Sequence, residues 1–161
     1  DTVWVIVQGM GMYRSTTGGA NWEARNSGIP LSSGALNVYN FSSSSGMQLA
    51  MVEGAGIYRS SDNGANWAPD SSGLPESYGY QGSIANPGDG YRYVAIDGYG
   101  IYRGTTGANA NDPMIWSAWG STATQLPKVR VRPPSLIEGI YYVGTGQGVY
   151  TSADGGTMAP V

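Results

Sequence analysis

A chain of 161 residues with 26 glycines, 40% apolar and 11% aromatic content can fill one packed core, but it carries too much glycine for long helices. A formal net charge of −3, one lysine (Lys128) and scattered arginines leave no basic surface for nucleic acid. The absence of Cys and His removes disulfides, thiolate or imidazole metal sites and a Ser-His-Asp triad, so no metal and no cofactor are expected.

The first element in chain order is the apolar run Val3–Val7, which predicts a strand and is far too short to cross a membrane. Gly9 and Gly11 flank Met10 and supply the backbone angles of a tight reversal, after which Met12-Tyr13-Arg14-Ser15 returns as a second strand. The same phrase recurs around Tyr58, Tyr102 and Tyr150, at spacings of 45, 44 and 48 residues. Each tyrosine has a glycine four places before it (Gly9, Gly54, Gly98, Gly146) and another two places before it (Gly11, Gly56, Gly100, Gly148). Strand-like runs precede each pair, and one of them, Val94-Ala95-Ile96, is apolar on successive residues and predicts burial on both faces.

A second turn follows each returning strand. In Ser60-Ser61-Asp62-Asn63-Gly64-Ala65-Asn66-Trp67, Ser60 and Asp62 can accept backbone N–H groups, Gly64 can take a positive φ, and Trp67 can fold back as an apolar plug. The first copy is Ser15, Thr17, Gly19 and Trp22; the last is Ser152, Asp154 and Gly156, with no tryptophan after it. In the third copy Gly104 and Thr106 replace Ser and Asp, and about eight inserted residues delay the tryptophan. Trp119 fits there, because Trp22, Trp67 and Trp119 each stand eight places before a proline (Pro30, Pro75, Pro127). One further strand is expected after each proline, at Leu36–Phe41, Tyr80–Ile84 and Val129–Arg132.

About four short antiparallel strands in 44–48 residues is the size of a propeller blade, giving an all-β array of about 3.5 units, near 1–35, 36–79, 80–128 and 129–161. A closed ring needs more blades than this, and open arrays leave strand edges unpaired. The chain is therefore expected to be part of a longer protein or to complete its ring with another copy, two copies supplying about seven blades.

The Ser-x-Asp-x-Gly-x-Asn-Trp stretch at Ser60–Trp67, with Gly-x-Gly-Ile-Tyr-Arg before it, resembles the Asp-box, or bacterial neuraminidase repeat. The units resemble blades of sialidases, secreted xyloglucanases, sortilin-type receptors and photosystem-assembly propellers. The resemblance implies a β-propeller in which Ser15, Thr17, Gly19, Trp22, Ser60, Asp62, Gly64, Trp67, Ser152, Asp154 and Gly156 hold outer turns together and are not catalytic. It also implies a working face built by the glycine turns and by the loops after Gly-Ile-Pro and Gly-Leu-Pro.

Glu53 and Asp97 enter equivalent glycine turns, as do Gln8 and Thr145, and two adjacent carboxylates are what a glycosidase needs as acid and base. The alternative is that they satisfy loop N–H groups or face water. Arg14, Arg59 and Arg103 recur at one repeat position, which suits packing along a blade better than convergence on a substrate carboxylate. Tyr78, Tyr80, Tyr91 and Tyr99 are candidate ligand-stacking residues, against packing between blades. Asn40-Phe41-Ser42 matches a glycosylation acceptor, and Asp89 and Asp112 lie in Gly- and Asn-rich loops that lack a dense calcium-ligand pattern. The expectation is a non-catalytic scaffold binding protein or glycan partners, outside the cell or at its surface, with no membrane span. The alternatives are a segment of a secreted glycoside hydrolase and a structural module of a polymer or surface layer.

Overall fold

The computed structural model describes residues 1–31, 38–44, 46–76, 82–105, 112–120, 126 and 130–161. Among them there is no helix; fifteen strands form four antiparallel sheets, and each strand pairs only with its neighbours in sequence. The described residues fall into two compact units, one spanning residues 1–70 and the other residues 71–76 together with the chain from 82 to 161.

The first unit holds sheets 1 and 2. Sheet 1 is β1 (Val3–Val7), β2 (Gly11–Ser15) and β3 (Glu23–Ala24); sheet 2 is β4 (Val38–Ser44), β5 (Met47–Val52), β6 (Gly56–Ser60) and β7 (Ala68–Pro69). The second unit holds sheets 3 and 4. Sheet 3 is β8 (Gly82–Ala85), β9 (Arg92–Ile96), β10 (Gly100–Thr105) and β11 (Ile115–Trp119); sheet 4 is β12 (Ser135–Ile137), β13 (Ile140–Thr145), β14 (Gly148–Ser152) and β15 (Ala159–Pro160).

Cα register shows that the four sheets are copies. Tyr13 lies opposite Val5 and Ala24, Tyr58 opposite Ala50 and Pro69, Tyr102 opposite Val94 and Ala118, and Tyr150 opposite Val143 and Pro160. The glycine pairs do what a three-residue reversal requires. Gly9, Gly54 and Gly98 have φ of 73°, 67° and 85°, and the next residue's N–H closes the turn on Val7, Val52 and Ile96 at 3.0–3.1 Å. Two-sided burial holds for β9, every residue of which is buried, and equally for β5.

Register also moves two assignments made from sequence. Glu23, Ala68 and Ser117 lie opposite Arg14, Arg59 and Arg103, so the repeat tryptophan, one residue before the arginine's partner, is Trp22, Trp67 and Trp116. Trp119 sits three residues further along, inside β11, and the insertion before the third tryptophan is five residues long rather than eight. In sheet 4 the same register places Met158 where the others carry tryptophan.

The strand expected at Val129–Arg132 does not form over its described residues. Arg130 takes φ of 52°, the N–H of Val131 goes to the Asp97 carboxylate at 3.0 Å, and Pro133 and Pro134 have no N–H to give a ladder. Pairing resumes only at Ser135. Of the other two expected strands, β4 is described from Val38 and β8 from Gly82.

Each unit packs one sheet on the next in the same way. In the first, Met12 and Ile29 of the sheet 1 segment meet Val38, Ala50, Val52, Tyr58 and Trp67, while the Trp4 ring lies 4.8 Å from Phe41. In the second, Tyr93, Ala95, Ile101, Trp119 and Leu126 meet Val131, Val143 and Met158. The apolar area removed from water in these two contacts is the main stabilising term, about 2 kcal/mol for each large side chain fully buried.

Candidate functional site

Three turns share one hydrogen-bond network, centred on a buried serine. Ser60 Oγ accepts the N–H of Gly64 at 2.8 Å and of Asp62 at 3.3 Å, and donates to Asp62 Oδ1 at 2.8 Å. Asp62 in turn accepts the Asn66 N–H at 2.9 Å and its side-chain amide at 2.8 Å. In the first copy Ser15 Oγ accepts from Gly19 at 2.8 Å and Thr17 at 3.2 Å, and Thr17 Oγ1 takes the aspartate's part by accepting the Asn21 N–H at 2.9 Å.

The last copy is one residue shorter. Gly155, buried and at φ of 69°, donates to Ser152 Oγ at 2.9 Å and so occupies the place of Gly64; Gly156 follows it, giving its N–H to Asp154 Oδ1 at 2.8 Å. The glycine of this turn is thus Gly155 rather than Gly156, because the Asn63 position has no counterpart. In the third copy a Cβ on Gly104 would lie 2.7 Å from Met114 Cε and 2.8 Å from Trp116 Cζ3, so side chains fill the space where the other copies carry the serine.

The network is expected to contribute to the acid limb of stability. N–H donation by Asn66, then its side-chain amide, holds the Asp62 carboxyl at about 2; the Thr157 N–H, then Ser152, holds Asp154 at about 2. An unfolded aspartate titrates near about 3.9, so both groups stabilise the fold above that pH and lose their contribution as pH falls through about 4 towards 2. Urea midpoints are expected to drop across that window, and the drop should be shallower in the Asp62→Asn, Asp154→Asn double variant. An unchanged acid limb in the double variant would show that these turns do not set it.

Backbone contacts fasten consecutive segments within each unit. The Trp67 N–H donates to Ser27 O at 2.8 Å and its indole Nε1–H to Arg25 O at 3.0 Å; the Trp116 N–H donates to Ser72 O at 3.0 Å. Gly28 and Gly73 let these segments approach, since a Cβ on either would come within 2.1 Å of the tryptophan carbonyl oxygen.

The candidate catalytic carboxylates are placed differently from one another. Asp97 accepts the Val131 N–H, and Glu53 is half-buried in the first unit, whereas Asp97 belongs to the second. The recurring arginines are engaged locally. Arg14 donates to Asn63 O at 3.1 Å, Arg59 pairs with the buried Asp70 at 3.3 Å, and the Arg103 guanidinium lies 4.5 Å from the Tyr91 ring centre. Tyr99 is 43% exposed at the tip of the third glycine turn; Tyr78 and Tyr80 lie outside the described residues, as does the side chain of Asn40.

Sequence reasoning missed Asp89 as an organising group. One of its carboxylate oxygens accepts the hydroxyls of Tyr93 at 2.7 Å and Tyr141 at 2.8 Å, and the other accepts the Tyr91 N–H at 3.0 Å. Burial, then the bond to Asp89, pushes both phenol pKa values up, which keeps the hydroxyls protonated as donors. Tyr141 is 52 residues from Asp89, and no local motif announces the pair.

An open apolar surface lies on sheet 1. Val5, Val7, Met10, Tyr13 and Trp22 line an open hollow of about 530 Å³. Among the described residues no cluster of three Asp or Glu side chains is placed to hold a metal ion, and no helix is long and apolar enough to cross a membrane. No protein-family model matches the chain, and no curated protein matches it.

Proposed function

We propose that the chain is a non-catalytic scaffold of Asp-box propeller blades that binds or assembles with glycan or protein partners outside the cell. The observation that carries this is how the side chains are employed. Asp97, Asp89, Tyr93, Tyr141 and the recurring arginines are committed to backbone groups and to one another, while an apolar sheet face is left open to solvent. Contiguous exposed apolar surface marks a place where another molecule is bound. The Ser-centred turns support the Asp-box assignment, and four in-register sheets support blades whose ring is completed by further blades of a longer chain or by another copy. A composition low in lysine and high in Gly, Ser, Asn and Tyr supports an extracellular setting.

Incubation with xyloglucan and sialylated oligosaccharides tests this. No product is expected, and Asp97→Asn should leave binding of any retained glycan unchanged. Turnover that disappears in Asp97→Asn or Glu53→Gln would replace the scaffold with a glycoside hydrolase.

A further inference from the structure

We propose that the chain assembles head to tail with a second copy of itself, resting on the assembly reading above. The open face of sheet 1 in one copy receives the face of sheet 4 that carries Tyr142 and Val149 in the next. The observations behind this are the two packings inside the chain and two faces that stand open to solvent.

Because strand side chains alternate, every sheet has two faces that register identifies from copy to copy. One face is built around the residue just before the repeat tyrosine and the second-strand residue opposite the repeat arginine or its counterpart. These are Met12 and Trp4 in sheet 1, Ile101 and Tyr93 in sheet 3, and Val149 and Tyr142 in sheet 4. The other face is built around the tyrosine, the second-strand residue opposite it and the residue before the outer strand. These are Tyr13, Val5 and Trp22 in sheet 1, Tyr58, Ala50 and Trp67 in sheet 2, and Tyr150, Val143 and Met158 in sheet 4.

In both units a face of the first kind covers a face of the second kind. Met12 and Trp4 lie over sheet 2, where Ala50, Tyr58 and Trp67 are no more than 7% exposed. Ile101 and Tyr93 lie over sheet 4, where Val143 and Met158 are no more than 4% exposed. Among the described residues one face of each kind carries large exposed apolar side chains. Trp22, the counterpart of Trp67, is 40% exposed beside Val7 at 37% and Met10 at 57%; Tyr142 and Val149 are 38% and 47% exposed. A surface that this chain twice covers with its own repeat, and the surface that does the covering, are both presented to solvent. A second copy carries the matching half of each, and such a heterologous contact closes into a ring or extends into a filament.

Sedimentation equilibrium of the 161-residue chain between about 1 and 500 μM tests the proposal. Association beyond 16.8 kDa is expected. Val7→Glu and Val149→Glu should each weaken it at least about tenfold by burying an unpaired charge, and circular dichroism should show both variants folded, because both sites face solvent. Met10→Glu, in a turn outside the strands, gives the same reading if Val7→Glu fails to fold. Mixed in equal amounts, Val7→Glu and Val149→Glu should form a species of twice 16.8 kDa, each contributing its intact face. Association that only one of the two variants disrupts overturns the proposal, and so does a mixture that stays monomeric. A 16.8 kDa monomer at every concentration also overturns it, and assigns the face to a further sheet of a longer chain or to an unrelated partner. Retention of that monomer on an immobilised glycan or protein would leave the scaffold function standing.

Discussion

Replacing Gly28 with alanine is expected to lower the unfolding midpoint by about 10 °C, corresponding to a loss of about 3 kcal/mol. Gly28 has φ of 89°, where an L side chain already costs about 1–2 kcal/mol. The larger part is steric. The new methyl would lie 2.1 Å from the Trp67 carbonyl oxygen and 3.1 Å from its carbon, and these are backbone atoms that cannot rotate away. Trp67 is also held by its own bonds to Ser27 and Arg25, so relief means giving those up. Gly73→Ala should behave alike, since Trp116 stands against it at the same distance. Gly88→Ala is the control: φ is 97° with nothing within 4 Å, so only the conformational cost remains. Differential scanning calorimetry of the three variants decides the matter. Equal losses at Gly28 and Gly88 would mean that close approach is not what fixes glycine there.

Asp89→Ala is expected to cost about 3 kcal/mol, because it strands two phenol hydroxyls and one backbone N–H that donate to a charged acceptor. Tyr93 is fully buried, so its hydroxyl depends on a partner at the Asp89 position. Its ring also packs 4.9 Å from Trp119, which lies 5.2 Å from Tyr141, so all three rings depend on one anchor. The sharper test adds Tyr93→Phe and Tyr141→Phe to Asp89→Ala. Removing the stranded hydroxyls should restore part of the stability, leaving the triple variant more stable than Asp89→Ala alone. A triple variant no better than the single one would show that the hydroxyls are solvated and the carboxylate is not their anchor.

Much of this fold was legible because its grammar is local. A glycine pair around one residue, a strand on each side and a serine-centred turn are each written within fifteen residues, and all four copies take the same register. What escaped was set by which partner each group meets in the fold. Counting back from the proline favoured Trp119 over Trp116, yet the pairing of Arg103 with Ser117 decides the position. Val131 looked like strand because it is apolar, but its N–H is taken by Asp97, 34 residues earlier. Gly156 and Gly155 are indistinguishable in a run of two glycines; only the hydrogen bond to Ser152 separates them. The candidate site was less legible still. Glu53 and Asp97 matched by position, but position within a repeat says nothing of what each carboxylate touches. Asp89, which does organise side chains, sits outside the repeated motif.

The contacts between Trp67 and Ser27, and between Trp116 and Ser72, are made by main-chain atoms and permitted by glycine. Such a joint places little demand on the identity of the side chains around it. One copy can exchange serine for a packed glycine at position 104, another can lose a turn residue and end on Met158, and the stacking rule survives both changes. A unit copied within such a chain is therefore free to drift in sequence on its exposed surfaces while still fitting its neighbour, which gives repeated sheets of this kind room to acquire new surface chemistry one copy at a time.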